Sequence, residues 1–382
     1  VSQTVEAPPM QLIDEPGGLQ RVAQTLRGSS RLYLDTEFES NRSGTRICLL
    51  QLSGGGEIFL VDSLRLRSLE PLREVLAAPE TEWVLHAGLQ DVQLLIEELR
   101  IEPPKLLFDT QIAWGLLTAE SSVSLGYLQY KVLGERSNKA HQADDWTRRP
   151  LPASQLAYAA ADVAHLPALR EHLGERARQL GREAIVHRAS LELLQPTREP
   201  LPPLALESFR NAWQLEPRQQ AGLRYVISWY NGLSAAQREG APETKTLLSI
   251  ASRLPDSVEA LGRIKGVSPR FVQRAGKELV AGLRRAASQA RAEDFVPIEP
   301  APYATFEDIR LDAWLTVARA EVCATLQASP ELILPGRLLK SMRAAALAGR
   351  AGAAALAGIS GWRRELVEEA FLRFCQDHPA PL

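Results

Sequence analysis

The sequence predicts an α/β domain built on a mixed sheet, followed by two all-α regions. Three observations carry this. In the first half, β-rich runs are joined first by a hairpin and then by helical stretches, as in a mixed sheet with helices packed on it. After a proline-rich stretch the strand signal fades, and short helices punctuated by Pro and Gly take over. Residues 305–382 are helical again and rich in alanine.

The elements follow in order. "RLYLDTEF", "RICLLQLS", "EIFLVDS" and "EWVLHAG" are rich in β-branched, aromatic and aliphatic residues and read as strands. Gly54–Gly56, between the second and third, suits a hairpin turn. "LQDVQLLIEELR" and "ASQLAYAAADVAHLPALREHLGERARQLG" have helical periodicity, and Pro167 divides the second. Leu194–Leu204 holds four prolines in eleven residues and reads as a linker. The polar, Pro-containing "SQARAEDFVPIEPAPYATFED" reads as a second. The expected domains are therefore 1–200, 205–290 and 304–382. The two helical regions echo each other: "LGRIKG" at Leu261 and "LAGISG" at Leu356 each open a final helix, and Trp213 and Trp314 sit near the starts. Two copies of one helical module are expected.

Composition excludes some function classes. The 382 residues are 45% hydrophobic and 24% charged. No apolar segment reaches the roughly 20 residues that span a bilayer, so no membrane association is expected. The first residues lack a basic start followed by an apolar run, so no signal peptide is expected. Cys48, Cys323 and Cys375 show no CxxC or Cys/His spacing. They read as free thiols in a reducing, cytoplasmic setting rather than a zinc site or disulfide framework. The net charge of −2 averages over unlike regions: residues 205–290 carry 13 Lys/Arg against 7 Asp/Glu, a balance of +6. A basic module thus sits beside an acidic remainder.

The chemistry is carried by acidic residues in unfavourable places. Alternation along "LYLDTEFES" puts Leu32, Leu34 and Thr36 on one face and Tyr33, Asp35 and Glu37 on the other. Two carboxylates side by side on an otherwise apolar strand repel, and burial adds to the cost. A divalent cation resolves that conflict, and hard oxygen ligands suit Mg²⁺ or Mn²⁺. Asp91 lies in the first turn of an apolar helix, where the macrodipole alone also favours a carboxylate. Tyr158 and Asp162, spaced i, i+4, share one helix face with three alanines between them. Taken alone, Tyr158 is equally a core aromatic with a wet hydroxyl.

Together the motifs are specific. "DTEF", "HAGLQD", "FDTQIA", "DDW" with "RRPL" after it, and "YAAADV" occur in this order. The set resembles the DEDD exonucleases of the Tyr-containing subclass, and within them the ribonuclease D family, over roughly residues 20–290. The resemblance implies an RNase H-like exonuclease domain with a mixed five-stranded sheet and flanking helices. It also implies an HRDC domain at 205–290 and a second, divergent HRDC-like domain at 304–382. Carried over by motif, Asp35, Glu37, Asp91 and Asp162 would hold two divalent ions, Mg²⁺ or Mn²⁺, roughly 3.5–4 Å apart about the scissile phosphate. Tyr158 would orient the attacking water; a phenol with pKa near 10 makes a poor base at neutral pH. The implied reaction is hydrolysis of RNA from the 3′ end, releasing nucleoside 5′-monophosphates, with tRNA precursors and other structured RNA as substrates. A monomer is compatible with this.

Further contacts are expectations of lower rank. Thr36 and Phe38 flank the carboxylates and would meet the 3′-terminal nucleotide; His86 either joins them or closes a strand end. Asp109 is expected to support the site rather than act in it. Lys139, Arg148 and Arg149 fall in a stretch that the resemblance places near the site. In the basic module, Arg263, Lys265, Arg270, Arg274, Lys277, Arg284 and Arg285 lie within 23 residues, opposed only by Glu278. Arg270 and Arg274 are the chosen phosphate contacts, giving salt-dependent and sequence-tolerant affinity. Two other functions fit the same residues less well: a DNA-directed 3′→5′ exonuclease, and a non-catalytic nucleic-acid-binding scaffold.

Overall fold

The computed structural model describes residues 9–41, 44–136, 144–195, 203–234, 237–238, 240–300 and 304–382. It divides into two compact units, Val1–Thr197 joined with Phe306–Leu382, and Arg198–Thr305.

The first unit is built on a six-stranded sheet in the order β1-β4-β3-β2-β5-β6. The strands are β1 (Met10–Ile13), β2 (Arg31–Asn41), β3 (Gly44–Ser53), β4 (Ile58–Val61), β5 (Glu82–Leu85) and β6 (Leu106–Asp109). The sheet is mixed as expected: β2, β3 and β4 pair antiparallel, while β1 joins β4, and β5 and β6 follow β2, all in parallel. The β3–β4 connection runs through Gly55, whose φ of 98° places it in the region glycine enters without strain. The expected count of five strands falls one short. The extra strand is β1, an edge strand whose first three residues are exposed, so it lacks the buried run that signals a strand.

Strand alternation sorts the core into two layers. Leu32, Leu34, Trp83, Leu85 and Leu107 pack on one side, against Leu19, Val22 and Leu26 of the first helix and Val92, Leu95 and Leu99 of Leu89–Leu99. Tyr33, Val84 and Phe108 pack on the other, beneath the helices Ala153–Ala164, Leu166–Gln179 and Glu183–Glu192. Pro167 separates the first two of these, as the sequence predicts. One charged pair is sealed into this layer. The Arg170 guanidinium donates to Glu82 at 2.8 and 2.7 Å and stacks 4.1 Å from the centre of the Phe108 ring.

Residues 304–382, set apart in the sequence as a module of their own, pack into this same core. Leu311, Leu315, Val322, Ile333 and Phe371 share one apolar cluster with Phe108, Ile112 and Leu166. Arg182 spans the junction, donating to the Leu116 and Leu326 carbonyls at 2.6 Å each. The Ser329 amide donates to the Gly115 carbonyl at 2.8 Å. Arg188 grips Glu365 with two bonds of 2.7 and 2.9 Å. A contiguous buried cluster of this kind marks one core, whatever the chain order of its contributors.

The second unit is all helical, with Pro217–Asn231, Thr244–Arg253, Val258–Gly262 and Pro269–Ser288 around Leu223, Val226, Leu247, Ile250, Phe271 and Leu279. Leu261 and Ile264 are buried ahead of the last helix of this unit, and Leu356 and Ile359 ahead of Gly361–Asp377 in the first unit. Trp213 and Trp314 are not equivalent, the first 43% exposed and the second 9%. Cys48, Cys323 and Cys375 are free thiols. Among the described residues no helix is long and apolar enough to cross a membrane.

Candidate active site

Asp35 and Glu37 share the face of β2 that Tyr33 occupies further back, and the helix Ala153–Ala164 lies over that face. Its alanines, Ala159 and Ala160, are buried against the sheet, and a side chain without bulk lets the helix approach closely. That approach brings Asp162 to the pair: carboxylate oxygens of Asp35, Glu37 and Asp162 lie within 4.8 Å of one another. Just beyond Glu37 the register of β2 against β3 slips by one residue. This bulge ends the regular ladder beside the cluster.

Asp91 is not one of the three carboxylates that lie within 4.8 Å of one another, but it approaches them from the other layer. Its Oδ1 accepts hydrogen bonds from the Thr36 backbone N–H, at 3.1 Å, and from the Thr36 hydroxyl. Asp91 is thereby tied between Asp35 and Glu37, from the opposite layer. Its helix is steered by Asp109, whose carboxylate caps Thr110–Gly115 and also accepts from the amides of Ala87 and Gly88 at 3.1 and 3.0 Å. Ala87 has φ of 53°, a conformation that L-residues adopt only when held. The supporting part expected of Asp109 is visible in these bonds.

The electrostatics follow from crowding. Burial raises Asp35 well above the usual carboxylate range, and the charges of Asp91, Asp162 and Glu37 add to it. Glu37 is pushed up to about 8 by burial, then by Asp162, Asp91 and Asp144. Asp162 rises to about 7 through burial, opposed by the hydrogen bond from Tyr158. Asp91 is raised by burial against the pull of its Thr36 bonds. Tyr158 is held above its usual value by burial and by the charges of Asp162, Glu37 and Asp35, so it stays a phenol donor. These residues fit hard divalent cations: the carboxylates are close, acceptor-rich and costly to ionise unless a positive charge joins them.

The remaining candidates separate. Thr36 is buried with both its polar groups engaged by Asp91, and Phe38 packs at the edge of the opposite apolar layer. His86 has both ring nitrogens engaged, Nδ1 2.9 Å from the Thr110 hydroxyl and Nε2 2.9 Å from the Val123 carbonyl, and burial lowers its pKa. Arg149 is locked onto the buried Asp62 and the Cys48 and Trp146 carbonyls, while Arg148 is exposed and bonded to Asp145. Lys139 lies outside the described residues. Arg270 and Arg274 stand exposed in the second unit, with the other five basic residues of their cluster also exposed.

Three neighbours of the site, two of them from the "DDW" motif, were given no role by the sequence. The Trp146 ring packs on Tyr158, with centroids 6.3 Å apart. Gln155 donates to Asp144 at 3.0 Å, and Asp144 bears on Glu37. "DDW" was the available signal, but only folding brings it beneath Tyr158.

Comparison with known proteins identifies the fold and the family. Residues 10–178 match the 3′-5′ exonuclease family model, and residues 242–283 match the HRDC domain. A ribonuclease D of Gluconacetobacter diazotrophicus is 36% identical over 290 residues, which span 74% of this chain and 72% of that protein. A ribonuclease D of Serratia proteamaculans is 29% identical over 94% of this chain and 96% of its own length. The crystal structure of Escherichia coli RNase D, described as an exoribonuclease involved in structured RNA processing, superposes with a TM-score of 0.67 at 25% identity. The match covers 97% of this chain and 99% of that one. With the exonuclease and HRDC models and the relatives in agreement, the chain belongs to the ribonuclease D family of metal-dependent 3′→5′ exoribonucleases.

Proposed function

We infer that Asp35, Glu37, Asp91 and Asp162 hold two divalent cations, Mg²⁺ or Mn²⁺, and that the enzyme trims tRNA precursors and other structured RNA from the 3′ end in the cytoplasm. The observation that carries the reading is the carboxylate cluster itself, three acids within 4.8 Å with the Tyr158 hydroxyl hydrogen-bonded to one of them. Bound cations supply positive charge that offsets the negative charge gathering on the phosphate and on the departing 3′ oxygen. The chain's own residues do the rest. Asp91, pinned by Thr36, keeps the helix Leu89–Leu99 in register with β2. Asp162 accepts from Tyr158 and so fixes the phenol over the cluster. Tyr158 then orients a water toward the terminal phosphodiester. That water's oxygen bonds to phosphorus, the P–O3′ bond breaks, and a proton passes to the 3′ oxygen, releasing a nucleoside 5′-monophosphate.

Digestion of matched RNA and DNA oligonucleotides tests this, with the 3′ end free or blocked, in Mg²⁺ or in chelator. Stepwise shortening of the RNA from a free 3′ end, only in Mg²⁺, is the expected result. Faster loss of DNA would favour a DNA-directed enzyme, and intact substrates throughout would indicate a binding scaffold.

The basic cluster of the second unit supports a separate hold on the body of a structured RNA. The helix Pro269–Ser288 buries Phe271, Leu279 and Leu283 and leaves Arg270, Arg274, Lys277, Arg284 and Arg285 exposed. Reversing Arg270 and Arg274 to Glu should weaken binding of a tRNA-like precursor about uniformly across sequences. It should flatten the salt dependence by about one unit of slope for each phosphate no longer neutralised. Cleavage of a short unstructured oligonucleotide should change far less. Identical affinities and slopes across a salt series would route the RNA elsewhere.

A further inference from the structure

Gln51 sits in the middle of β3 with none of its surface exposed. Across the ladder it stands directly opposite Asp35 on β2 and opposite Leu60 on β4. Directly opposed residues present their side chains to the same face, with Cβ atoms about 4.5–5.5 Å apart. The amide is therefore enclosed beside Asp35, on the face covered by the helix Ala153–Ala164. Neither its Nε2 nor its Oε1 has a hydrogen-bond partner among the described residues. Buried side-chain amides nearly always find partners, because an unpaired one forfeits its hydration without return. Its same-face neighbours along β3 are Leu49 and Ser53, both buried, and the Ser53 hydroxyl already accepts from the Gly55 amide. Leu60 offers no polar atom. The one acidic group directly across the ladder is Asp35.

We propose that Gln51 is a positioning residue of the active site: its Nε2 donates to the Asp35 carboxylate when that carboxylate holds a divalent cation. The inference rests on the reading of Asp35 as a metal ligand. Across the Cβ spacing of an opposed pair, about 4.5–5.5 Å, a Gln side chain is long enough to meet an Asp carboxylate by a change of rotamer. The bond fixes one Asp35 oxygen and leaves the other for the cation. Groups that orient a ligand in this way typically contribute about 10–100-fold to metal affinity. In the metal-free protein the amide is a liability; with metal bound it is satisfied.

The test uses the full chain as wild type, Gln51→Met and Asp35→Asn, each titrated with Mn²⁺ and melted without metal. Met keeps an unbranched side chain of similar volume and removes the amide. Mn²⁺ affinity in Gln51→Met should fall about tenfold or more, with kcat reduced and KM for RNA unchanged. Its metal-free melting temperature should match or exceed wild type, since apolar atoms replace an unpaired amide. A lower melting temperature with wild-type Mn²⁺ affinity would mark Gln51 as structural and overturn the inference. Equal Mn²⁺ binding by wild type and Asp35→Asn would instead overturn the reading of the site beneath it. Should Gln51→Met fail to fold, Gln51→Asn draws the amide back by one methylene and must show the same weakening; wild-type affinity there overturns the inference too.

Discussion

Replacing Asp35 with Asn is expected to abolish cleavage while leaving RNA binding in place. Asn keeps the shape of the side chain and removes its charge, so the cluster loses one of its anionic ligands. The same change acts on stability, and the sign follows from the raised pKa values. Asp35, Glu37 and Asp162 titrate higher in the fold than their ordinary values of 3.8, 4.5 and 3.8. The folded state therefore holds more protons than the unfolded chain as pH rises above those values. Their contribution is fully present at acid pH below the unfolded pKa values. It is lost as pH climbs through about 7 for Asp162 and about 8 for Glu37. Metal-free wild-type protein should thus melt lower at pH 8 than at pH 5, and Asp35→Asn should show less of that loss. Mg²⁺ should raise the wild-type melting temperature more at pH 8, where it competes with fewer protons. Near wild-type turnover by purified Asp35→Asn in Mg²⁺ would sink the assignment.

Tyr158→Phe should lower single-turnover cleavage by about 10²–10⁴-fold, the usual contribution of a positioned hydrogen-bonding group, with little change in RNA affinity. The ring still packs on Trp146, so the fold keeps that packing and gives up only the hydroxyl. Asp162 loses the donor that holds its pKa down, so its titration should move further up. The pH–rate profile of the variant should then rise at higher pH than that of wild type, a shift that a merely packed tyrosine would not produce. Unchanged single-turnover rates would make Tyr158 a core residue.

Much of this was legible in the chain because it is local. Alternation along Leu32–Phe38 sets which residues share a face, and the i, i+4 spacing of Tyr158 and Asp162 sets theirs. The Gly-rich β3–β4 turn and the break at Pro167 are backbone preferences that act within a few residues. Asp35 and Glu37 stand out because two carboxylates on an apolar strand are unfavourable, a cost legible without the fold, and Asp91, Tyr158 and Asp162 join them through the motif order that resembles the DEDD exonucleases.

Tertiary structure alone decided where those pieces meet. It paired Thr36 with Asp91, whose carboxylate Thr36 anchors. It spent both nitrogens of His86 on Thr110 and Val123, and all of Arg149 on Asp62 and nearby carbonyls. It packed residues 304–382 into the core of the exonuclease unit, because their apolar faces are buried against elements nearly 200 residues away in the chain. It also set Gln51 across from Asp35, a pairing fixed by strand register. The sequence by itself determined the kind of chemistry, since charge, size and periodicity belong to single residues and their neighbours. Partnership depends on which distant groups share a face and on what burial leaves unsatisfied, and those are properties of packing.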